Sequence, residues 1–227
     1  MKYTKQGETL LKELNNNIDN KDEFSCLYAI QAVFEKQQKN NDKQVAGLEK
    51  SLIEQYAQTY SLVDIQNACE LFFEHYFQSI APGHEKTPKG IAHLAAKLLD
   101  INAKDSLADF GSGFGDFLIE AKETEKMFGI EIVDLLCEVS RIRAEILGKK
   151  ITFINDSVFN AKRNEYDKIF VNCPFGMRAK YIFGNASQNY ENKLYNNATS
   201  GDWLYALKAL EALKKAVKQY RLSRPVH

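Results

Sequence analysis

The run Asp109-Phe-Gly-Ser-Gly-Phe-Gly115, directly behind the short apolar stretch Ser106–Phe110, constrains the fold of this chain more than any other segment. A buried strand that runs into glycines at alternate positions leaves a loop without side chains on its surface. Such a loop enters positive φ at little cost and lets a ligand come close to the backbone. Spacing sharpens what a lone glycine loop says weakly. The dinucleotide fingerprint asks for a glycine at position 116, where this chain has Asp116, so a nicotinamide cofactor is disfavoured.

The pattern downstream alternates. Asp116 to Lys122 is a predicted helix, Met127–Glu131 a strand, Val133 to Leu147 a helix, and Ile151–Ile154 and Lys168–Asn172 two further strands. Short apolar strands separated by helices imply an α/β fold whose parallel sheet is covered on both faces. Residues 176–201 carry Asn, Tyr, Ser and Gly without a period and read as a long surface loop. Asp202 to Gln219 reads as a helix with Trp203, Leu204, Leu207, Leu210, Leu213 and Val217 on its apolar side.

Ahead of this unit, residues 1–80 read as a helical domain. Leu48, Leu52, Ile53, Tyr56 and Tyr60, then Ile65, Ala68, Cys69, Phe72, Phe73 and Tyr76, recur at helical spacing. Ala81-Pro-Gly-His84 breaks that pattern and marks a domain boundary, which gives domains 1–80 and 81–227. Thr87-Pro88 reads as an N-cap and first helical residue, with Ile91, Leu94, Ala95, Leu98 and Leu99 as one apolar stripe behind it.

Charge and cysteine content set limits. The 30 basic and 30 acidic residues balance, but the first eighty residues are net acidic and the remainder net basic, which admits a DNA partner without demanding one. Cys26, Cys69, Cys137 and Cys173 form no CxxC pair, so reduced thiols and no metal site are expected. Neither a long apolar run nor a signal-peptide core is present, and the cytoplasm is the expected location.

Three positions carry the chemistry. Glu131, at the end of the second predicted strand, is placed to accept both hydroxyl protons of a ribose. Its bland alternative is a solvated strand-end acid. Asp156, after the third strand, is placed to accept from an exocyclic amine, its alternative being a turn-forming or helix-capping role. Asn172-Cys173-Pro174-Phe175 ends the fourth strand. An amide oxygen and a neighbouring carbonyl stiffened by proline both accept from an NH₂ group, and the aromatic ring stacks on a flat base.

Taken in order, these segments resemble the N6-adenine DNA methyltransferase family, and within it the modification subunit of type I restriction-modification systems. The resemblance runs from about Gly83 to Leu213. It implies a class I, Rossmann-like methyltransferase domain, incomplete at its C-terminal end and preceded by a helical domain, with S-adenosylmethionine as cofactor. The resemblance implies that Thr87, Pro88, Asp109, Gly111, Gly113, Gly115, Glu131 and Asp156 hold the cofactor. It makes Asn172, Cys173, Pro174 and Phe175 the catalytic corner. DNA is the implied partner, together with a separate specificity or completing subunit, because relatives continue with further strands and a target-recognition region. Cys173 departs from the family's proline and loosens one φ angle. Protein-glutamine and ribosomal-RNA methyltransferases share a similar corner and stand as the alternative acceptor reading, with a catalytically silent remnant as a third.

Overall fold

A computed structural model describes residues 3–19, 22, 24–75, 86–172 and 201–214. Helices α1 (Lys5–Asn17), α2 (Ser25–Lys39), α3 (Lys50–Thr59) and α4 (Leu62–His75) come first. Helix α1 starts where Thr4, in extended conformation, accepts the Gly7 N–H at 3.0 Å. The same hydroxyl donates to Asp64 of α4 at 2.8 Å. Gly7 permits that approach, since a Cβ there would stand 2.7 Å from the Asn67 Cβ. Leu10 and Leu14 of α1, Leu27, Ile30 and Val33 of α2, and Ile65, Phe72 and Phe73 of α4 are buried together.

Next come α5 (Lys89–Leu98), β1 (Ser106–Phe110), α6 (Asp116–Glu120), β2 (Lys126–Glu131), α7 (Asp134–Ile146), β3 (Thr152–Asn155), a 3₁₀ turn (Val158–Asn160), β4 (Lys168–Val171) and α8 (Gly201–Ala212). The strands form one sheet in the order β3-β2-β1-β4, with every pairing parallel. Side chains alternate across it. Leu107, Met127, Phe153 and Phe170 pack on one face with residues of α5, α6 and α7. Ala108, Phe110, Ile130 and the half-buried Ile169 and Val171 pack on the other against Ala209 and Ala212 of α8. Phe117 of α6 stacks on Phe170 of β4 with centroids 4.1 Å apart, which ties the helix behind the glycine loop to the strand that ends in Asn172.

The helical unit sits on the outer side of α7. Leu136, Val139, Ile142 and Ile146 share one apolar cluster with α2 and α4, joined by Phe114 of the glycine loop. Within that interface Arg143 of α7 is buried. Its Nε and Nη2 donate to the Glu70 carboxylate of α4 at 2.7 and 3.2 Å, and its Nη1 to Asp116 Oδ1 at 2.8 Å and to the Phe114 carbonyl at 3.0 Å. The guanidinium also lies 4.6 Å from the centroid of the Phe73 ring.

Several elements depart from the sequence expectation. Helix α5 starts at Lys89 with Pro88 as its N-cap residue, and no side chain caps it, so Thr87 is not an N-cap. On α5, Ala92 is buried and Ala95 and Leu99 pack inward, whereas Ile91, Leu94 and Leu98 are exposed. Helix α6 ends at Glu120 rather than Lys122, and α8 ends at Ala212, where Leu213 bridges to Tyr166 and the Lys214 N–H donates to the Tyr166 carbonyl. Trp203 and Leu210 of α8 are exposed, and the buried positions are Gly201, Leu204, Lys208, Ala209 and Ala212. The expected break at Ala81–His84 and loop at 176–201 fall outside the described residues, apart from Gly201 in α8.

Arg143→Ala removes the buried cation that buried Asp116 and part-buried Glu70 share, and lowers the unfolding free energy in urea by about 3–5 kcal/mol. Lys12→Ala, at the exposed pair with Glu8, leaves the midpoint essentially unmoved. Burial opposes ionisation of Glu70, but the charge and hydrogen bonds of Arg143 outweigh it and hold the carboxyl below its ordinary range. Its contribution is therefore complete above the ordinary glutamate pKa and is lost as pH falls through the depressed value. Urea midpoints measured down that range show a decline in the wild type that Glu70→Gln lacks.

Candidate active site

Strand register brings the site together. Phe110 of β1 pairs with Val171 of β4, so the residues that follow, Gly111 and Asn172, leave the sheet side by side at its carboxyl edge. On the other flank Phe110 pairs with Ile130, and Glu131 pairs with Asn155. The Asp156 N–H then donates to the Glu131 carbonyl at 3.1 Å. Glycine loop, Glu131, Asp156 and Asn172 thus lie along one edge, as expected in open α/β sheets.

The three glycines of the loop all have positive φ, but they do different things. A Cβ at Gly111 or Gly113 would meet nothing within 4 Å, whereas one at Gly115 would stand 2.8 Å from the Phe153 ring. Gly111 and Gly113 therefore line open space, and Gly115 packs inward. Gly129 of β2, which sequence reasoning did not single out, is required for the same packing: its Cβ would lie 2.5 Å from Phe153 and 2.9 Å from Ser112 Oγ.

Glu131 folds over the loop. Its Oε2 accepts the Gly113 N–H and its Oε1 the Val133 N–H, both at 2.9 Å. Asp109 is 3% exposed, and among the described residues no donor reaches its carboxyl. Burial, then the charges of Asp116 and Glu131, hold that carboxyl well above the usual aspartate range. Ser112 Oγ is buried with no hydrogen-bond partner among the described residues. Among the described residues, these two polar groups at the loop are left without a hydrogen-bonding partner.

Asn172 is tied to the segment ahead of α5. Its Nδ2 donates to Thr87 Oγ at 2.9 Å, and the Thr87 N–H donates to Asp116 Oδ2 at 3.2 Å. Pro88 follows Thr87 and places its carbonyl as acceptor for the first turn of α5. Exposed Asp156 accepts the Ser157 N–H and the Asn160 side-chain amide on Oδ1, both at 2.7 Å, which is a turn-forming arrangement. Cys173, Pro174 and Phe175 lie outside the described residues. Asp116, Arg143 and Glu70 were not expected at the site. The available signal was Arg143 itself, a charge on the helical stripe Leu136, Val139, Arg143, Ile146.

The sequence model of the N-6 DNA Methylase family matches residues 61–219. No curated protein matches this sequence. Among solved structures, the chain is similar to a Listeria monocytogenes protein described as a class I S-adenosylmethionine-dependent methyltransferase. The identity is 17%, the TM-score is 0.70, and the match covers 92% of this chain and 69% of that one. A Vibrio vulnificus protein described as a modification subunit of a type I restriction enzyme aligns at 15% identity and a TM-score of 0.60, over 79% of this chain and 42% of the other. The methyltransferase subunit of a Streptococcus thermophilus type I restriction-modification system aligns at 15% identity and a TM-score of 0.56, over 92% of this chain and 52% of the other. At these identities the likeness shows the fold, and the chain spans about half the length of the two restriction-modification subunits.

Two outcomes separate binding from packing at this edge. Gly113→Ala, facing open space, costs about 1 kcal/mol of stability from its positive φ but weakens S-adenosylmethionine binding in calorimetry. Gly129→Ala drives a methyl into Phe153 and lowers the melting temperature more than Gly113→Ala does. Asp109→Asn tests the buried carboxyl. A carboxyl whose folded pKa is raised destabilises the fold increasingly as pH climbs from its unfolded pKa to its folded one. The variant is therefore more stable than the wild type at neutral pH, the gap closes in acid below the ordinary aspartate pKa, and cofactor binding weakens.

Proposed function

Because the chain belongs to the N-6 DNA Methylase family, we propose that it transfers a methyl group from S-adenosylmethionine to the N6 amine of adenine in DNA, within a restriction-modification system. The fold is that of the class I methyltransferases, and S-adenosylmethionine is the cofactor.

The residues at the sheet edge fit this cofactor. Gly111 and Gly113 present bare backbone to open space, Ser112 Oγ and the Asp109 carboxyl lack partners among the described residues, and the nearby Glu131 and Asp116 are acidic. That set suits a cationic sulfonium, an ammonium and ribose hydroxyls, and repels a phosphate. When bound, S-adenosylmethionine supplies an electrophilic methyl group. Glu131, with two oxygens and several lone pairs, keeps acceptor capacity for ribose hydroxyls beyond the two N–H groups it holds. Asp156 is our candidate for the adenine amine of the cofactor, and Thr87 and Pro88 border the cradle on the side of Asp116.

At the acceptor corner, Asn172 Oδ1 and the Cys173 carbonyl take the two hydrogens of the substrate amine and aim the nitrogen lone pair at the cradle. Pro174 stiffens the corner and Phe175 stacks on a base flipped out of the duplex. Asn172 works by orientation; a carboxamide takes no proton, and the one that the amine loses on gaining the methyl group passes to water. The observation that supports this reading is the β1–β4 register, with Gly111 and Asn172 leaving neighbouring strands together.

DNA is the partner this reading requires, and the basic excess of residues 81–227 is compatible with it. A completing or specificity subunit is part of the proposal. Among the described residues no strand pairs with the outer edge of β4. Apolar side chains stand exposed on both sides of the sheet, Leu98 of α5 at 76% and Trp203 of α8 at 68%. A cytoplasmic site of action follows from the substrate, and among the described residues no helix is long and apolar enough to cross a membrane.

With methyl-tritiated S-adenosylmethionine and unmethylated DNA, digestion to nucleosides yields the label in N6-methyladenine. Asn172→Ala lowers transfer by about 10²–10³-fold and leaves cofactor affinity unchanged. Label on a translation release factor or ribosomal RNA instead of DNA assigns the acceptor to the alternative reading. Cofactor binding with no transfer to any acceptor marks a silent chain.

A further inference from the structure

We infer that Thr87 is the positioning residue for Asn172, anchoring its carboxamide at the acceptor corner, and that Asp116 and Arg143 hold Thr87 in place. This rests on the methyl-transfer reading of the site and adds to it a device that sets the acceptor geometry.

The argument starts from the carboxamide, whose two ends have opposite polarity. An amine substrate needs the oxygen end as acceptor; a carboxamide turned over would offer N–H groups to N–H groups. Thr87 Oγ accepts from Asn172 Nδ2 at 2.9 Å, which spends the nitrogen end on the protein. Among the described residues no donor reaches Asn172 Oδ1. The contact thus anchors the nitrogen end of the amide and, in this arrangement, leaves the oxygen for the incoming amine.

Thr87 is in turn held in place. Its side chain is buried, and it caps no helix, because α5 begins beyond Pro88 without a side-chain cap. Its N–H is held by Asp116 Oδ2 at 3.2 Å, while the other oxygen of that carboxylate accepts from Arg143 at 2.8 Å. Arg143 is anchored on Glu70 of α4 by two further hydrogen bonds. The chain Glu70–Arg143–Asp116–Thr87–Asn172 therefore runs from the helical unit to the acceptor corner. Every link in it is a hydrogen bond no longer than 3.2 Å. Proline at 88 restricts Thr87 to extended backbone, which keeps the hydroxyl aimed.

Thr87→Val removes the acceptor oxygen while keeping shape and β-branching, and Thr87→Ser keeps the oxygen. The valine variant lowers kcat for methyl transfer by about 10²-fold, far more than it changes the S-adenosylmethionine affinity in calorimetry, and melts within a few degrees of the wild type. The serine variant restores transfer. In protein labelled with ¹⁵N-asparagine, the side-chain amide of Asn172, identified by its loss in Asn172→Ala, exchanges slowly in the wild type and in Thr87→Ser and rapidly in Thr87→Val. A weakened cofactor affinity with an unmoved Asn172 amide overturns the inference and makes Thr87 a cofactor contact. A wild type that labels no DNA, with an Asn172 amide that still responds to Thr87→Val, contradicts the methyl-transfer reading and leaves the contact standing.

Discussion

The buried guanidinium of Arg143 holds three parts of the molecule in one arrangement. It joins Glu70 of the helical unit, Asp116 behind the glycine loop and the Phe114 carbonyl within that loop. Burial opposes its charge, and the two carboxylates outweigh that penalty, keeping Arg143 protonated with a raised pKa. A buried ion pair of this kind adds little net stability over a well-packed apolar substitute, but it is costly to break on one side. What it provides is geometry. An apolar residue at position 143 could fill the space and would fix neither the loop nor Asp116.

Function at the sheet edge conflicts with local stability. Asp109 is kept buried beside Asp116 and Glu131, and burial together with their charges opposes its ionisation. Ser112 Oγ is buried unpaired among the described residues. Polar groups left this way are uncommon in a fold that otherwise satisfies its hydrogen bonds, and they concentrate where a ligand completes them. Phe153 makes the arrangement possible: its ring fills the space over Gly115 and Gly129, pressing the inner side of the loop while Gly111 and Gly113 stay open. The parallel pairing of β1 with β4 then sets Asn172 beside the open side.

Much of this was legible in the sequence because it is local. Ser106–Phe110 carries Leu107, Ala108 and Phe110 toward both faces of a buried strand, and glycines at 111, 113 and 115 allow the positive φ angles of the turn behind it. Helices α3 and α4 were legible as periodicity, whereas α1 and α2 were covered only by the general helical reading of the first eighty residues. The start of α2 depends on Asp22 accepting from the Phe24 N–H and the Ser25 hydroxyl. Thr87 misled because Thr-Pro has the local chemistry of a helix start, while tertiary structure uses its hydroxyl 85 residues away on Asn172. Trp203 and Leu210 misled in another way. Apolar spacing on α8 and α5 predicted burial, but burial needs a neighbour, and at the open flank of β4 the described residues supply none. The Arg143 pairing spans 73 residues to Glu70 and left only the trace of one charge on an apolar stripe.

The account depends on the open side of the glycine loop and the amide of Asn172 facing one cleft. The most direct measurement is an isotope-filtered NOE experiment on the protein bound to S-adenosylmethionine carrying a ¹³C methyl group, with asparagine ¹⁵N-labelled. The account predicts a cross-peak between the bound methyl and the side-chain amide protons of Asn172. Saturated binding with no such cross-peak, or with the methyl reporting only on residues remote from β4, would contradict it.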